Sequence, residues 1–217
     1  MQVSECKLVT VSREFGAGGS ELARTLGAEL GWPVLDQDLV HRVAERLRLD
    51  DATIARFDEH PPTLLQRIAT VLIIPQPDLY SFPPTSDLPS HDAIAAASTR
   101  VIKEAAHDRP LIVVGHGAQC IFGGRADAVH VRVVAPAANR VRRIMARLHV
   151  DSAAANTMLR RADHDRQAYM QRHFHQDWYS PLLYDLQVNT GRVSIDDASA
   201  IIAALVHRSG RGAPTRI

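Results

Sequence analysis

The chain has 217 residues, a length typical of one α/β domain that buries a substantial core without disulfides or a structural metal. Hydrophobic residues make up 46% of it and charged residues 23%, the balance of a soluble globular protein. The formal net charge of +1 provides no global field that would attract nucleic acid or an anionic membrane, so we expect neither as a partner.

Cysteine usage and the N-terminal sequence bear on the compartment. Cys6 and Cys120 have neither the spacing of a metal site nor that of a disulfide framework, which favours a reduced protein. The N-terminus is too polar for a signal peptide, and no apolar run reaches membrane-spanning length. We therefore expect a cytoplasmic protein.

Short apolar runs alternate with helical patterns along the chain. The runs have the composition of buried strands and lie at residues 7–12, 33–36, 111–115, 129–135 and 185–189. The helical patterns show apolar residues on one face and lie at residues 19–30, 38–47, 92–106, 137–148 and 196–206. This alternation predicts a three-layer α/β fold, with a five-stranded parallel sheet and helices on both faces.

Two stretches interrupt the alternation. Residues 50–90 contain an apolar helix at 63–74 and then a proline-rich segment, which is either an ordered excursion or a mobile flap. Residues 151–179 form a predicted helix crowded with Arg, Asp, Gln and His. The last residues, 208–217, are predicted to be a flexible tail.

A glycine-rich loop follows the first predicted strand. Gly16, Gly18 and Gly19 permit backbone angles closed to other residues, and Ser20 stands at the start of the next helix. The free N–H groups and the dipole of a helix N-terminus attract anions, and a serine there can cap the helix or bind a phosphate-bound Mg²⁺. The loop is therefore predicted to cradle phosphates, although glycines that serve packing alone are the alternative.

The loop matches the Walker A pattern G-x-x-x-x-G-K-[ST] only in part. With Ser20 aligned to the terminal Ser/Thr, Gly19 stands at the lysine position and Arg13 at the position of the first glycine. The missing lysine removes a cation from the β- and γ-phosphates. We predict that Arg13, at the end of the strand, returns part of that charge.

Five segments together resemble one known family, the cytidylate kinase-like proteins within the P-loop nucleoside monophosphate kinases. They occur in the family's order between about residues 7 and 206 and read SREFGAGGSELA, LGWPVLDQDLV, IVVGHGA, RRADHDRQAY and YDLQVNT. The resemblance implies a single P-loop kinase-like domain over residues 1–207. Within it, residues 37–95 would form a monophosphate-binding lobe and residues 150–180 a helical lid.

The resemblance also implies a reaction and a set of site residues. The reaction is transfer of the γ-phosphoryl group of ATP to a nucleoside monophosphate, CMP or dCMP, with Mg²⁺. ATP would be held by the loop, and the acceptor by Asp36, His116 and Asp163. The predicted catalytic residues are Arg13, which would hold the ATP phosphates together with the loop amides, and Arg161 and Arg166, which would close over the transferring group. Ser20 would be the metal ligand. The ATP-binding loop residues are Gly16, Ala17, Gly18, Gly19, Ser20 and Glu21.

The lid residues are open to a second interpretation from spacing alone. Arg160, Asp163 and Arg166 are three residues apart and share a helix face, so an aspartate between two arginines can direct their guanidinium groups toward phosphates. A solvated helix with ordinary surface ion pairs is the alternative.

Two departures from the family pattern leave three functions open. The lysine is absent, and Gly115-His116-Gly117 stands where the family reads G-R-G. His116 is either a pH-dependent anion contact or a sign of a different acceptor or a decayed pocket. The hypotheses are a nucleoside monophosphate kinase, a nucleotide-binding or regulatory protein that transfers nothing, and a kinase for another small metabolite.

Other candidate sites have weaker support. His173 and His175 beside Asp177 lack a clear third ligand, so we favour surface or lid histidines over a metal site. Trp178 and Tyr179 are predicted to pack the lid against the sheet rather than to stack on a base. Ser12 and Ser20 have no evident histidine partner for a hydrolase triad, and the four arginines between residues 140 and 147 indicate a solvated face or a phosphate contact.

Overall fold

The computed structural model of the chain describes residues 5–36, 91–107 and 109–209. Contacts divide the chain into two compact units, Met1–Asp36 with Pro110–Ile217 and Gln37–Arg109. The described part of the second unit contains helix α2 (His91–Ala105), in which Val101 and Ile102 are fully buried. The helices predicted at 38–47 and 63–74 and the proline-rich segment lie outside the described residues.

The first unit holds a five-stranded sheet. Its strands are β1 (Leu8–Arg13), β2 (Val34–Leu35), β3 (Leu111–Val114), β4 (Ala128–Val134) and β5 (Leu186–Asn189). The strands lie in the order β2-β3-β1-β4-β5, and every neighbouring pair is parallel. The predicted fold class is confirmed, and the strand ends differ from the prediction by one residue at most.

Helices occupy the connections between the strands, and α6 follows the last strand. They are α1 (Gly19–Leu30), α3 (Ala118–Ile121), α4 (Ala137–Leu148), α5 (Ser152–Phe174) and α6 (Ile195–Ser209), and a short 3-10 helix spans Pro181–Leu183. None of the helices in the described ranges is long and apolar enough to cross a membrane.

The two faces of the central strands differ in polarity. On one face, valines of β1 and β4 pack with α1 and α6 in a single core cluster that includes Leu22, Leu26 and Ile202. On the other face, Thr10 pairs with His130, and the Thr10 hydroxyl lies 2.8 Å from His130 Nδ1. Successive residues of a strand point to opposite faces, so this alternation assigns the polar residues of both strands to one side.

The prediction of one helix over residues 151–179 was wrong at its C-terminal end. Helix α5 begins after Asp151, whose carboxylate accepts the N–H of Ala154 at 2.7 Å, and it ends at Phe174. His175 then adopts a left-handed conformation (φ 54°), and its N–H closes the last turn on Gln171 O. Trp178 therefore lies in the connection to β5 rather than on the helix.

The flexible tail predicted over residues 208–217 lies outside the described residues except for its first two positions. Helix α6 continues to Ser209, because its apolar side, with Ile202 and Val206 buried, keeps contact with the core until its last turn.

Candidate functional site

The candidate site lies at the carboxyl edge of the sheet. β1 is the central strand: β2 and β3 lie on one side of it, and β4 and β5 on the other. In open parallel sheets, ligands bind beyond the carboxyl ends of the strands where the order reverses. The glycine-rich loop follows β1 at this point, Asp36 follows β2, and Gly115 follows β3.

The backbone of the loop depends on its glycines. Gly16 has φ +79° and Gly18 has φ +84°, both in the left-handed region. A Cβ on Gly16 would lie only 2.9 Å from Arg140 O. Gly18 caps α1, whose first residues Gly19 and Ser20 present N–H groups that have no partner within the helix. Such a terminus binds anions, as the sequence predicted for this loop.

Residues 14 and 15, which open the loop, are held by side chains from distant parts of the chain. Glu14 Oε2 accepts the N–H of Ala135 at 3.2 Å and lies 3.5 Å from Arg140 Nε. The N–H of Phe15 donates to Asp163 Oδ1 at 2.8 Å, and Phe15 O accepts from Arg140 Nη1 at 3.3 Å. The first half of the loop is therefore fixed, whereas Ser20 and Glu21 at its other end are exposed.

Arg13 lies along the carboxyl edge toward β3. A Cβ on Gly19 would be 2.5 Å from Arg13 Cβ and 2.8 Å from Cγ, so the base of the arginine side chain occupies the space beside Gly19. Its guanidinium lies against Gly115, where an added Cβ would overlap Nη1. The charge of Arg13 therefore lies at the end of β3. The predicted role of Arg13 in place of the Walker lysine stays a prediction.

The Gly115-His116-Gly117 segment is an unusual turn. Its three residues have φ of +85°, +56° and +66°, so all three are left-handed, and the turn leads directly into α3. Gly117 packs against the ring of Phe174, and an added Cβ would overlap that ring. His116 is half-buried at the same edge of the sheet as Arg13, because β1 and β3 are neighbours. Asp36, also half-buried, lies at the end of the edge strand β2.

The three predicted lid residues have different environments on α5. The Arg161 side chain is 84% exposed and lies 3.9 Å from the Asp165 carboxylate. The Asp163 side chain is only 10% exposed and lies 3.4 Å from Arg166 Nη1. Burial lowers the pKa of Arg166, and the charge of Asp163 acts in the opposite direction. The structure thus brings Asp163 and Arg166 to the loop, whereas Arg161 points into solvent.

A second arginine beside the loop was not singled out from the sequence. Arg143 donates to Thr190 through Nη1 to the hydroxyl (2.8 Å) and through Nη2 to the carbonyl (2.9 Å). The Thr190 hydroxyl in turn donates to Ala17 O at 2.6 Å. A Cβ on Gly18 would lie 3.6 Å from Arg143 Nη1. The sequence showed only a basic run on α4, without a sign of which arginine faces the loop.

Arg132 is a buried cation on the polar face of the sheet. It is 3% exposed, and its guanidinium carbon lies between 4.9 and 5.6 Å from the ring centroids of Trp178, Tyr179 and Tyr184. Trp178 is 2% exposed and donates its indole N–H to Ser12 Oγ at 2.8 Å. Trp178 packs against the sheet, as predicted, whereas Tyr179 is 44% exposed. In the sequence, a charged residue within an apolar strand was the signal that could have identified Arg132.

The pair of histidines near the end of α5 makes an aromatic contact. The His173 ring lies 4.5 Å from that of Tyr169, centroid to centroid. In the part of the chain that the structure describes, no three His, Cys, Asp or Glu side chains are grouped so as to hold a metal ion.

Comparison with known proteins gives a family and a fold. The sequence profile of the cytidylate kinase-like family matches residues 8–192. No curated protein matches the chain. An uncharacterized protein from Eubacterium ventriosum has a similar structure, with a TM-score of 0.68 and 19% identity over 92% of this chain and 97% of that one.

Two further solved structures are similar at a TM-score of 0.50. TT1252 from Thermus thermophilus is 19% identical over 93% of this chain and 97% of its own, and shikimate kinase from Bacteroides thetaiotaomicron is 12% identical over 92% and 97%. At these identities the likeness shows a shared P-loop kinase fold.

Proposed function

Because this chain belongs to the cytidylate kinase-like family, we propose that it transfers the γ-phosphoryl group of ATP to a nucleoside monophosphate, CMP or dCMP, with Mg²⁺. The observation that carries the proposal is the loop at the carboxyl end of the central strand. Its two left-handed glycines, Gly16 and Gly18, turn the backbone into the N-terminus of α1, whose N–H groups form a binding site for an anion.

In this proposal the loop binds the donor. The N–H groups between Gly16 and Glu21 hold the ATP phosphates, except that of Ala17, which donates to Glu14 O at 3.1 Å. The exposed hydroxyl of Ser20, in the first turn of α1, fits Mg²⁺, which takes oxygen ligands and usually keeps several waters and phosphate oxygens. When bound, the ion neutralises charge on the phosphates. An oxygen of the acceptor monophosphate attacks the γ-phosphorus, the bond to the bridging oxygen breaks, and ADP leaves.

Three arginines are candidates for the cation that a Walker lysine would supply. Arg13 reaches the end of β3, so it would contact the acceptor or the transferring group, together with His116. Arg143 stands beside Gly18 and would serve the donor phosphates. Arg166 lies close enough to the loop to join them, whereas Arg161 would reach the phosphates only through a movement of α5.

Turnover of a panel of monophosphates tests the proposal. ADP release is measured with MgATP and CMP, dCMP, UMP, AMP or GMP, and we expect the cytidine nucleotides to be preferred. Arg13→Ala should lower kcat by a factor of about 10² or more, since one charge-stabilising group at a transferring centre is worth that much. Arg142→Ala is the matched control, because Arg142 is exposed and, among the described residues, bonds only to Asn139 on its own helix.

A second candidate is a nucleotide-binding protein that transfers nothing. It is favoured by Gly19, which stands at the lysine position and leaves the space beside it to the Arg13 side chain. No turnover of any acceptor, with a melting temperature that still rises on addition of MgATP, would select this candidate over the kinase. Turnover of a small alcohol but of no monophosphate would indicate a kinase for another metabolite.

A further inference from the structure

The peptide groups on both sides of Phe15 are held by one buried ion pair. Asp163 Oδ1 accepts the Phe15 N–H at 2.8 Å, and Arg140 Nη1 donates to Phe15 O at 3.3 Å. Arg140 and Asp163 are also bonded to each other, with 2.5 Å between Nη1 and Oδ2. Residues from α4, α5 and the loop thus form a closed ring of contacts across more than a hundred residues of sequence.

Both partners of this ion pair are buried. Asp163 is 7% and Arg140 8% exposed, and Glu14, Arg132 and Arg166 complete a network of two carboxylates and three guanidinium groups. Taking such charges out of water costs several kcal/mol, and even with good geometry the attraction between them does little more than offset that cost. A buried ion pair is therefore weak evidence for a contribution to stability. A role in fixing one arrangement of the backbone explains its presence better than stability does.

The carboxylate of Asp163 is fully engaged by the protein. Oδ1 accepts from Phe15 N–H and lies 3.4 Å from Arg166 Nη1, while Oδ2 accepts from Arg140. Both oxygens face positive or N–H groups, and a phosphate brought to the same place would be repelled by the carboxylate. The geometry therefore favours a role through the loop over the direct substrate contact predicted from the sequence.

The point of attachment determines what the ion pair can control. Phe15 directly precedes Gly16, the first of the N–H groups proposed to hold phosphate. Gly16 itself is packed against Arg140 O and Ile144, so Arg140 contacts two successive loop residues. The direction of the following N–H groups is thus set by a peptide unit that Asp163 and Arg140 hold in place.

We infer that Asp163 is a positioning residue for the phosphate loop. Through the Phe15 N–H and Arg140 it orients the loop for the nucleotide phosphates and couples that orientation to the position of α5. This inference rests on the proposed function only in taking a nucleotide as the loop's ligand. Any movement of α5 that separates Asp163 from Phe15 would release the loop and weaken phosphate binding.

Two substitutions of Asp163 separate positioning from stability. Asp163→Asn retains an oxygen that accepts from the Phe15 N–H but loses the charge, whereas Asp163→Ala loses both. Asp165→Asn is the matched control for stability, since its carboxylate is exposed and, within the described part of the chain, pairs only with Arg161 on the same helix. The Kd of MgATP and of MgADP is measured by calorimetry well below the melting temperature of each variant, together with amide hydrogen exchange across residues 13–21.

We expect the Kd to rise in the order wild type, Asn, Ala, with at least a tenfold rise for Ala, because a displacement of about 1 Å at such a site costs up to 10²-fold. Loop amides should exchange faster in the same order. A wild-type Kd and unchanged loop exchange in the Ala variant would overturn the inference, since a purely structural residue would lower only the melting temperature.

The two proposals fail in different ways. If the wild type binds neither MgATP nor MgADP, the proposed function falls, and loop exchange alone then decides the positioning role. If Asp163→Ala does not fold, loop exchange in Asp163→Asn decides instead. Exchange equal to wild type there would refute positioning, and faster exchange would support it.

Discussion

Restoring the Walker lysine should fail in this chain unless Arg13 is changed as well. The substitution to test first is Gly19→Ala, which adds only the Cβ that a lysine would need. That atom would lie 2.5 Å from Arg13 Cβ and 2.8 Å from Arg13 Cγ, distances that real Cβ atoms essentially never show. Gly19 is itself buried at the start of α1, so the helix cannot easily move away.

The cost follows from which atoms collide. Arg13 Cβ, the nearer of the two atoms, is fixed by the backbone of β1, so no change of rotamer can move it aside as the end of a long side chain moves. Overpacking of this kind costs about 1–3 kcal/mol. For a chain of this length, 1 kcal/mol shifts the melting temperature by about 2–4 °C, so we expect a decrease of roughly 2–12 °C. Gly19→Lys should lose at least as much.

Urea denaturation and thermal melting measure this loss, with Gly124→Ala as the matched control. A Cβ on Gly124 meets no atom of the described residues within 4 Å, so that variant should be as stable as wild type or slightly more stable. In a double-mutant cycle, Gly19→Ala should cost much less stability in the Arg13→Gly background than in the wild type. The reasoning is refuted if Gly19→Ala matches Gly124→Ala, or if the two substitutions at positions 13 and 19 are simply additive.

Three other substitutions or reactions probe different parts of the structure. Asp151→Ala should cost about 1 kcal/mol in denaturant unfolding because α5 loses its cap, and Asp151→Asn, which keeps an acceptor for the Ala154 N–H, should lose less. Burial raises the pKa of Cys120 from 9.0 to about 11, so the thiolate form is substantially populated only at high pH. Native Cys120 should therefore react with iodoacetamide at pH 8 about 100-fold more slowly than an unperturbed thiol, and equal rates would contradict the assigned burial. The same shift stabilises the fold below pH 9, and that contribution should be lost as the pH rises toward 11. Trp178→Phe should destabilise by about 1–3 kcal/mol because the buried Ser12 hydroxyl loses its indole partner, and an unchanged urea midpoint would contradict this account.

The sequence predicted the sheet well because its signal is local. Apolar runs such as LVTVSR and AVHVRVV can be identified as buried strands, and the helices between them require a parallel sheet. The end of α5 was missed because His175 adopts a left-handed conformation without glycine, which no local pattern indicates. Similarly, α6 outlasts its predicted end because contact with the core, rather than composition, holds its last turn.

The candidate site was predictable in its backbone and less so in its side chains. The glycines indicated a phosphate loop, but the directions of Arg13 and Asp163 depend on contacts with residues far away in the sequence. Arg161 and Arg166 are equally basic in the sequence, yet one is exposed and the other lies over the Phe15 ring at 5.6 Å. Which of the two arginines faces the loop depends on how α5 is rotated about its own axis. The spacing of the residues in the sequence does not determine that rotation.

The attachment of the loop to Asp163 also has a consequence for the order in which the protein is made. Residues 14 and 15 emerge from the ribosome well before the groups that hold them, which lie at positions 135, 140 and 163. Non-local contacts of this kind form only after long loops have closed, and a chain is synthesised from its N-terminus at about 5–20 residues per second. A nascent chain should therefore acquire its phosphate cradle only when α5 has left the exit tunnel, so that a segment synthesised before α5 matures after it.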